Sequence, residues 1–258
     1  MAVPGFDKTI FVGGLHRSGT SLLARMLAEH PLIGGLTATG APEDEGQHVQ
    51  AEMLPASMHG GPGKFAFDPR SRMSTDDALE RGPKALQTSL VKTWAAHRSD
   101  AKPHFVEKSP PNLLRFRFLE TVFDDPYCIL VVRHPVAVAH ATEFWANTSI
   151  ARLLEHWCHA HEIVRSDASD IARLHVVRYE DLVLDPDAAL ASVTSFVGLA
   201  PHKSAEQVRA DTNVRYFRRF RHHALLPAQI KITPLRWRFE SRVRQLGFGY
   251  SLSDRGDR

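Results

Sequence analysis

Thr9-Ile10-Phe11-Val12-Gly13-Gly14-Leu15-His16-Arg17-Ser18-Gly19-Thr20-Ser21-Leu22-Leu23 is the stretch that decides the fold. An apolar run leads into a short glycine-bearing loop, and helix formers follow at once from Leu22 to Glu29. In such a strand-loop-helix unit, the loop amides and the first unpaired N–H groups of the helix converge on one spot. The helix dipole favours negative charge there. Arg17 adds a fixed cation, and Ser18, Thr20 and Ser21 add hydroxyl donors around Gly19. These residues imply a cradle for a phosphate or sulfate ester. A nucleoside-triphosphatase loop fits less well. From Gly14 the spacing is G-x-x-x-x-G, but Thr20 stands where that motif needs Lys, and the cation sits earlier, at Arg17.

Outward from this stretch the chain alternates between strand and helix. Leu22, Leu23, Met26 and Leu27 give the helix Thr20 to Glu29 a sheet-facing stripe, and His30-Pro31 ends it. Residues 32–74 lose periodicity and are rich in Gly and Pro. So long an irregular stretch inside one domain is expected to cover the functional site or to hold short helices. Thr75-Asp76-Asp77 reads as an acidic helix start, Gly82-Pro83 as a break, and Lys84 to His97 as a second helix. His104 to Glu107 is expected to be a strand, with a helix after Asn112 reaching Leu119. Tyr127 to Val132 is apolar throughout, as in a parallel strand covered on both faces. Helices are expected over 136–145, 150–165 and 185–197, with a last strand over 174–179. The alternation implies a single domain over 1–258, an α/β three-layer sandwich with a central parallel sheet.

Composition bounds the function. With 258 residues and 43% hydrophobic content the chain can bury one substantial core. A formal charge of only +3 argues against nucleic acid as partner. Cys128 and Cys158 both lie in apolar contexts and are expected to be buried thiols. Residues 1–5 carry no signal-peptide pattern, and no run approaches the roughly 18–20 apolar residues of a membrane span. The expectation is a soluble cytoplasmic protein with no membrane partner.

Ligands of open parallel sheets bind at the carboxyl ends of the strands. Four strand ends here carry polar sets: His16 to Ser21, Glu107-Lys108-Ser109, Arg133-His134 and Tyr179-Glu180-Asp181. His97, His156, His159, His161, His222 and His223 are expected on solvated helix faces or loops. Glu43, Glu45 and His48 lack a second histidine to complete a metal site, so no metal is expected.

The string H-R-S-G-T-S-L-L resembles the 5′-phosphosulfate loop of sulfotransferases that use 3′-phosphoadenosine 5′-phosphosulfate (PAPS), with His16 in place of the usual Pro. That resemblance implies their P-loop-like fold, and Arg17, Ser18, Gly19, Thr20 and Ser21 as binding residues. Arg133 resembles the arginine that holds the 3′-phosphate. The hydroxyl residue usual eight positions later is Ala141 here, leaving that contact to Thr142 or a backbone amide. Tyr179 matches a tyrosine near the nucleotide. Glu107-Lys108-Ser109-Pro110 resembles the segment that, in Golgi-type enzymes such as the tyrosyl-protein sulfotransferases, sets a lysine beside the transferred group. Arg17 and Lys108 would then stabilise charge during transfer.

The implied base is Glu45, followed by Gln47 at the family's spacing, with Glu43 and His48 as alternatives. The Arg215 to Arg221 stretch is either a basic closing loop, with Arg218 or Arg219 on the 3′-phosphate, or an amphipathic helix with a charged outer face. Residues 32–74 would cover the substrate, and residues 200–258 would close over the nucleotide or shape the acceptor pocket. The implied reaction moves a sulfuryl group from PAPS to a small-molecule, carbohydrate or peptide acceptor and releases 3′-phosphoadenosine 5′-phosphate (PAP). A nucleotide kinase or triphosphatase, and a non-catalytic nucleotide binder, are the competing expectations.

Overall fold

A computed structural model describes residues 6–98, 101–222 and 229–254. Residues 1–5 and His223 lie outside the described residues, as does the side chain of His222.

The apolar runs of the sequence become a parallel sheet in the order β2-β3-β1-β4-β5. Its strands are β1 (Lys8–Gly14), β2 (Ile33–Gly35), β3 (His104–Lys108), β4 (Tyr127–Val132) and β5 (Leu174–Arg178). β1 is central, flanked by β3 and β4, so its carboxyl end opens onto the crevice where the strand order reverses. The alternation of side chains divides the core in two. Ile10, Val12, Val106, Ile129 and Val131 face α1 (Thr20–Ala28) and the later helices α7 (Tyr179–Leu184) and α8 (Pro186–Val197). Phe11, Phe105, Cys128, Leu130 and Val132 belong to the other, larger cluster with Trp94, Phe116 and Trp157. That face is covered by α3 (Pro83–Ala95), α4 (Phe116–Val122), α5 (Pro135–Ala146) and α6 (Ile150–Asp167), with α2 (Thr75–Arg81) packed beside α3 and α4. This is the three-layer sandwich expected, and both cysteines are buried free thiols.

Three corrections arise. The irregular stretch contains β2, a fifth strand of three residues, which is too short and too rich in glycine to show a period. Its remaining structure is a series of 3₁₀ turns at Pro42–Asp44, Gly46–His48, Ala56–His59, Phe65–Phe67 and Pro69–Ser71. β5 stops at Arg178, and Tyr179 opens a helix instead of ending the strand. His156 and His161 are buried, not solvated. Both belong to the inward stripe of α6, where His156 accepts the Ala66 N–H and His161 contacts the Trp157 carbonyl. The Arg-rich stretch forms α9 (Val214–His222), an amphipathic helix with Phe217 and Phe220 inward and Arg215 and Arg218 outward. α10 (Gln229–Gln245) packs on α6. Among the described residues no helix is long and apolar enough to cross a membrane.

Candidate active site

The loop after β1 builds the cradle its sequence implies. Arg17 takes φ +70 and Gly19 φ +104, so consecutive amides turn toward the start of α1, which no side chain caps. At Gly19 a Cβ would stand 2.5 Å from Cδ2 of Tyr179, and at Gly14 it would stand 2.6 Å from Ser18 Oγ. Only glycine admits this approach. Ser18 Oγ is buried without a hydrogen-bond partner among the described residues. A buried hydroxyl left unpaired costs free energy, so one in the loop that leads into the uncapped start of α1 fits an anionic ligand bound there.

The cradle is one wall of a cleft of about 280 Å³ lined by His16, Arg17, Gly19, Thr20, Ser21, Arg25, Glu43, Glu45, Pro110, Arg133 and Trp145. Glu45 lines this cleft, and Lys108 reaches it from an adjoining pocket that shares Ser21, Arg25 and Glu43. Lys108 Nζ donates to Glu45 Oε1 at 3.1 Å and to the Glu43 carbonyl at 3.1 Å, with side-chain exposures of only 5% and 11% for Lys108 and Glu45. The Gln47 amide donates to the other Glu45 oxygen, and His48 Nε2 lies 3.6 Å from it. The Gln47 side-chain oxygen Oε1 in turn accepts the Ala56 N–H at 2.8 Å. Glu45 is thus held from two sides, whereas Glu43 is exposed and pairs with Arg25 at 3.4 Å.

Arg133 ends β4 and is buried. Its guanidinium lies 4.1 Å from the centre of the Tyr179 ring, and Nη1 donates to the Arg17 carbonyl at 2.8 Å. Nε and Nη2 both donate to Asn213 Oδ1, at 2.9 and 2.6 Å. Burial holds the Arg133 pKa below its ordinary value. Asn213 is itself fixed by Glu180, whose carboxylate also accepts the His134 N–H and the Tyr250 hydroxyl. The cradle, Arg133 and Tyr179 therefore form one continuous surface.

The expected residues Arg17, Ser18, Gly19, Thr20, Ser21, Arg133, Tyr179, Lys108 and Glu45 all come together at the strand ends. Thr142 does not join them. It lines a separate void of about 10 Å³ with His16, Gly63 and His156. Arg219 pairs with Glu143 at 2.9 Å and Arg218 is exposed on α9.

Sequence reasoning missed Asn213 and Trp145. Asn213 carries no motif and reaches Arg133 across 80 positions of chain. Trp145 sits on the cleft rim, 58% exposed, T-shaped against the His16 ring with centroids 5.3 Å apart and with the Arg17 guanidinium 5.7 Å from its ring centre. An exposed tryptophan at the mouth of a polar cleft was the available signal. His16 is buried, and burial first, then Lys108, His48 and Arg17, lower its pKa to about 3, so its ring is neutral near pH 7. Among the described residues no group of three or more His, Cys, Asp or Glu is arranged to hold a metal ion.

Comparison with known proteins gives consistent results. The family model described as the sulfotransferase family matches residues 9–203. Protein-tyrosine sulfotransferase 2 of Gallus gallus is 28% identical over 201 residues, covering 74% of this chain and 51% of that protein. Protein-tyrosine sulfotransferase 1 of Danio rerio is 26% identical over 198 residues, covering 74% and 53%. The chain spans about half the length of these curated relatives. A crystal structure of a sulfotransferase from Mycobacterium tuberculosis H37Rv shares the fold, with a TM-score of 0.54 at 18% identity over 76% of this chain and 68% of that one.

Proposed function

The chain belongs to the sulfotransferase family, and from that premise we propose that it transfers a sulfuryl group from PAPS to a hydroxyl or amine acceptor. The observation that carries this reading is a cleft lined by the anion cradle and by Glu45, whose carboxylate pairs with the buried Lys108. Bound PAPS supplies an activated sulfuryl group, transferred in line with release of PAP. The chain's own residues divide the remaining work. Arg17, the loop amides and the hydroxyls of Ser18, Thr20 and Ser21 hold the 5′ end. Arg133, stacked on Tyr179 and aimed by Asn213, offers its remaining N–H groups to the 3′-phosphate.

Lys108 places a cation where charge develops, in a site with little water to screen it. Glu45, within hydrogen-bond reach of Lys108 and steadied by Gln47, accepts the acceptor's proton. His16, neutral and T-shaped against Phe65 and Trp145, walls the acceptor side. The exposed face of Trp145 is the surface the acceptor meets. The two similar proteins named above act on protein tyrosine, which makes a tyrosine-bearing peptide the first acceptor to try.

The test uses labelled PAPS with tyrosine peptides, phenols, sugars and amines, alongside calorimetry with PAP. Label transfer, abolished together with PAP binding in Arg17→Ala, is the expected outcome. Absence of both transfer and PAP binding in the natural chain, or magnesium-dependent ATP turnover in their place, would overturn the proposal.

A further inference from the structure

The reading of Glu45 as base leaves one buried carboxylate without a task. Glu107 precedes Lys108 on β3, and strand alternation sends the two side chains to opposite faces of the sheet. Lys108 reaches Glu45 at the cleft wall, whereas Glu107 is fully covered on the opposite face of the sheet. Among the described residues no arginine or lysine hydrogen-bonds to it. It accepts instead from Ser109 Oγ at 2.5 Å and from Asn112 Nδ2 at 2.6 Å. Burial pushes its pKa up. Such a group is costly to keep in a core unless its hydrogen bonds serve something.

Both partners lead to the cleft. Ser109 Oγ accepts the backbone N–H of Gln47 at 2.8 Å, and Gln47 is the residue whose amide grips Glu45. Asn112 Nδ2 also donates to the carbonyl of Val12 at 3.2 Å, on the strand that feeds the anion loop. A third contact is steric. Gly46, between Glu45 and Gln47, lies so close that a Cβ there would be 2.3 Å from Glu107 Oε1. One carboxylate therefore ties the turn bearing Glu45 to the end of β1.

We propose that Glu107 is a positioning residue, which acts through Ser109 and the Gln47 backbone to set Glu45 against the group held by the loop. The proposal rests on the sulfotransferase reading but assigns Glu107 no contact with substrate. A misplacement of about 1 Å at a reacting group costs about a hundredfold in rate. Displacing the turn should therefore lower kcat and leave the nucleotide site intact.

The experiment compares the natural chain with Ser109→Ala, Glu107→Gln, Gly46→Ala, Glu107→Ala and the pair Gly46→Ala/Glu107→Ala. The readouts are kcat and KM for sulfuryl transfer, PAP affinity and thermal midpoint. Ser109→Ala cuts the link without emptying the core, and should lower kcat at least tenfold while PAP affinity stays within about twofold. Glu107→Gln keeps the shape, accepts from Asn112 and donates to Ser109, and should retain most of kcat. Gly46→Ala should lose kcat. The paired variant should lose less than the product of the single losses, because truncating Glu107 removes the atom the new methyl would strike.

Unchanged kcat in Ser109→Ala, or kcat losses that only follow the thermal midpoint or PAP affinity, would overturn the proposal. If the natural chain itself transfers no sulfuryl group, the failure lies with the sulfotransferase reading and not with Glu107.

Discussion

Replacing Lys108 by Met in the presence of Glu45 tests the centre of the site most directly. The pair is 3.1 Å apart and almost covered. At an effective dielectric of about 20, that separation corresponds to an attraction of about 5 kcal/mol before desolvation is charged against it. Removing one partner of a buried pair costs about 3–5 kcal/mol, because the other charge stays behind uncompensated. Gln47 and cleft water still serve the stranded carboxylate, so the loss should fall near the lower end, at about 3 kcal/mol. Glu45→Gln should cost less in stability, since Lys108 keeps the Glu43 carbonyl. The double variant should recover much of the Lys108→Met loss, with a coupling of about 2 kcal/mol. Urea unfolding of the four proteins supplies these values. The same panel assayed with PAPS separates structure from chemistry: Glu45→Gln should lower kcat by about 10²–10⁴ and leave PAP affinity nearly unchanged. A coupling below about 0.5 kcal/mol would mean that the pair does not form in solution. A Glu45→Gln enzyme with kcat within about threefold of the natural chain would place the base elsewhere.

Gly19→Ala forces a side chain into a left-handed position and onto the Tyr179 ring, and should weaken PAP binding at least tenfold, for a strain of about 1–3 kcal/mol; unchanged calorimetric affinity would refute the cradle. Trp145→Ala should raise the acceptor KM about tenfold and spare PAP affinity, as expected of an aromatic contact worth about 1–2 kcal/mol; an unchanged KM across the acceptor panel would move the acceptor off this rim. Burial, first among the causes, holds the pKa of both His16 and His156 at about 3, against an ordinary value of 6.5. The unfolded chain therefore binds more protons than the folded one below about pH 6.5. Their stabilising effect is complete above that pH and declines as pH falls toward 3, by about 2 kcal/mol per histidine at pH 5. His16→Gln should flatten the acid limb of stability, measured by urea unfolding from pH 7.5 to about 4.5, by close to one proton; an unchanged slope would mean that His16 is not held neutral.

Much of this was legible because it is local. The strand-loop-helix signal around Gly19, the apolar β4 and the polar strand ends depend on neighbours in sequence, and the structure places them as expected. β2 was not legible, because three residues, two of them Gly, carry no alternation. The burial of His156 and His161 was misread because helical spacing alone does not say which polar residues of an inward stripe find partners. Thr142 stood beside a missing serine in sequence, yet the turn of α5 carries its side chain to the void beside Gly63, with its methyl facing that glycine.

The sequence by itself determined a parallel α/β sandwich with a cationic anion loop at the carboxyl end of its first strand, since hydrophobic period, glycine and helix-start chemistry act over a few residues. Only the tertiary structure decided that Glu45, and not Glu43, meets Lys108, that Asn213 aims Arg133, and that Glu107 lies under the turn between them. Those contacts join residues 62 to 80 positions apart. Their energy comes from burial and exact hydrogen-bond geometry, which arise only once the sheet has brought the strand ends together.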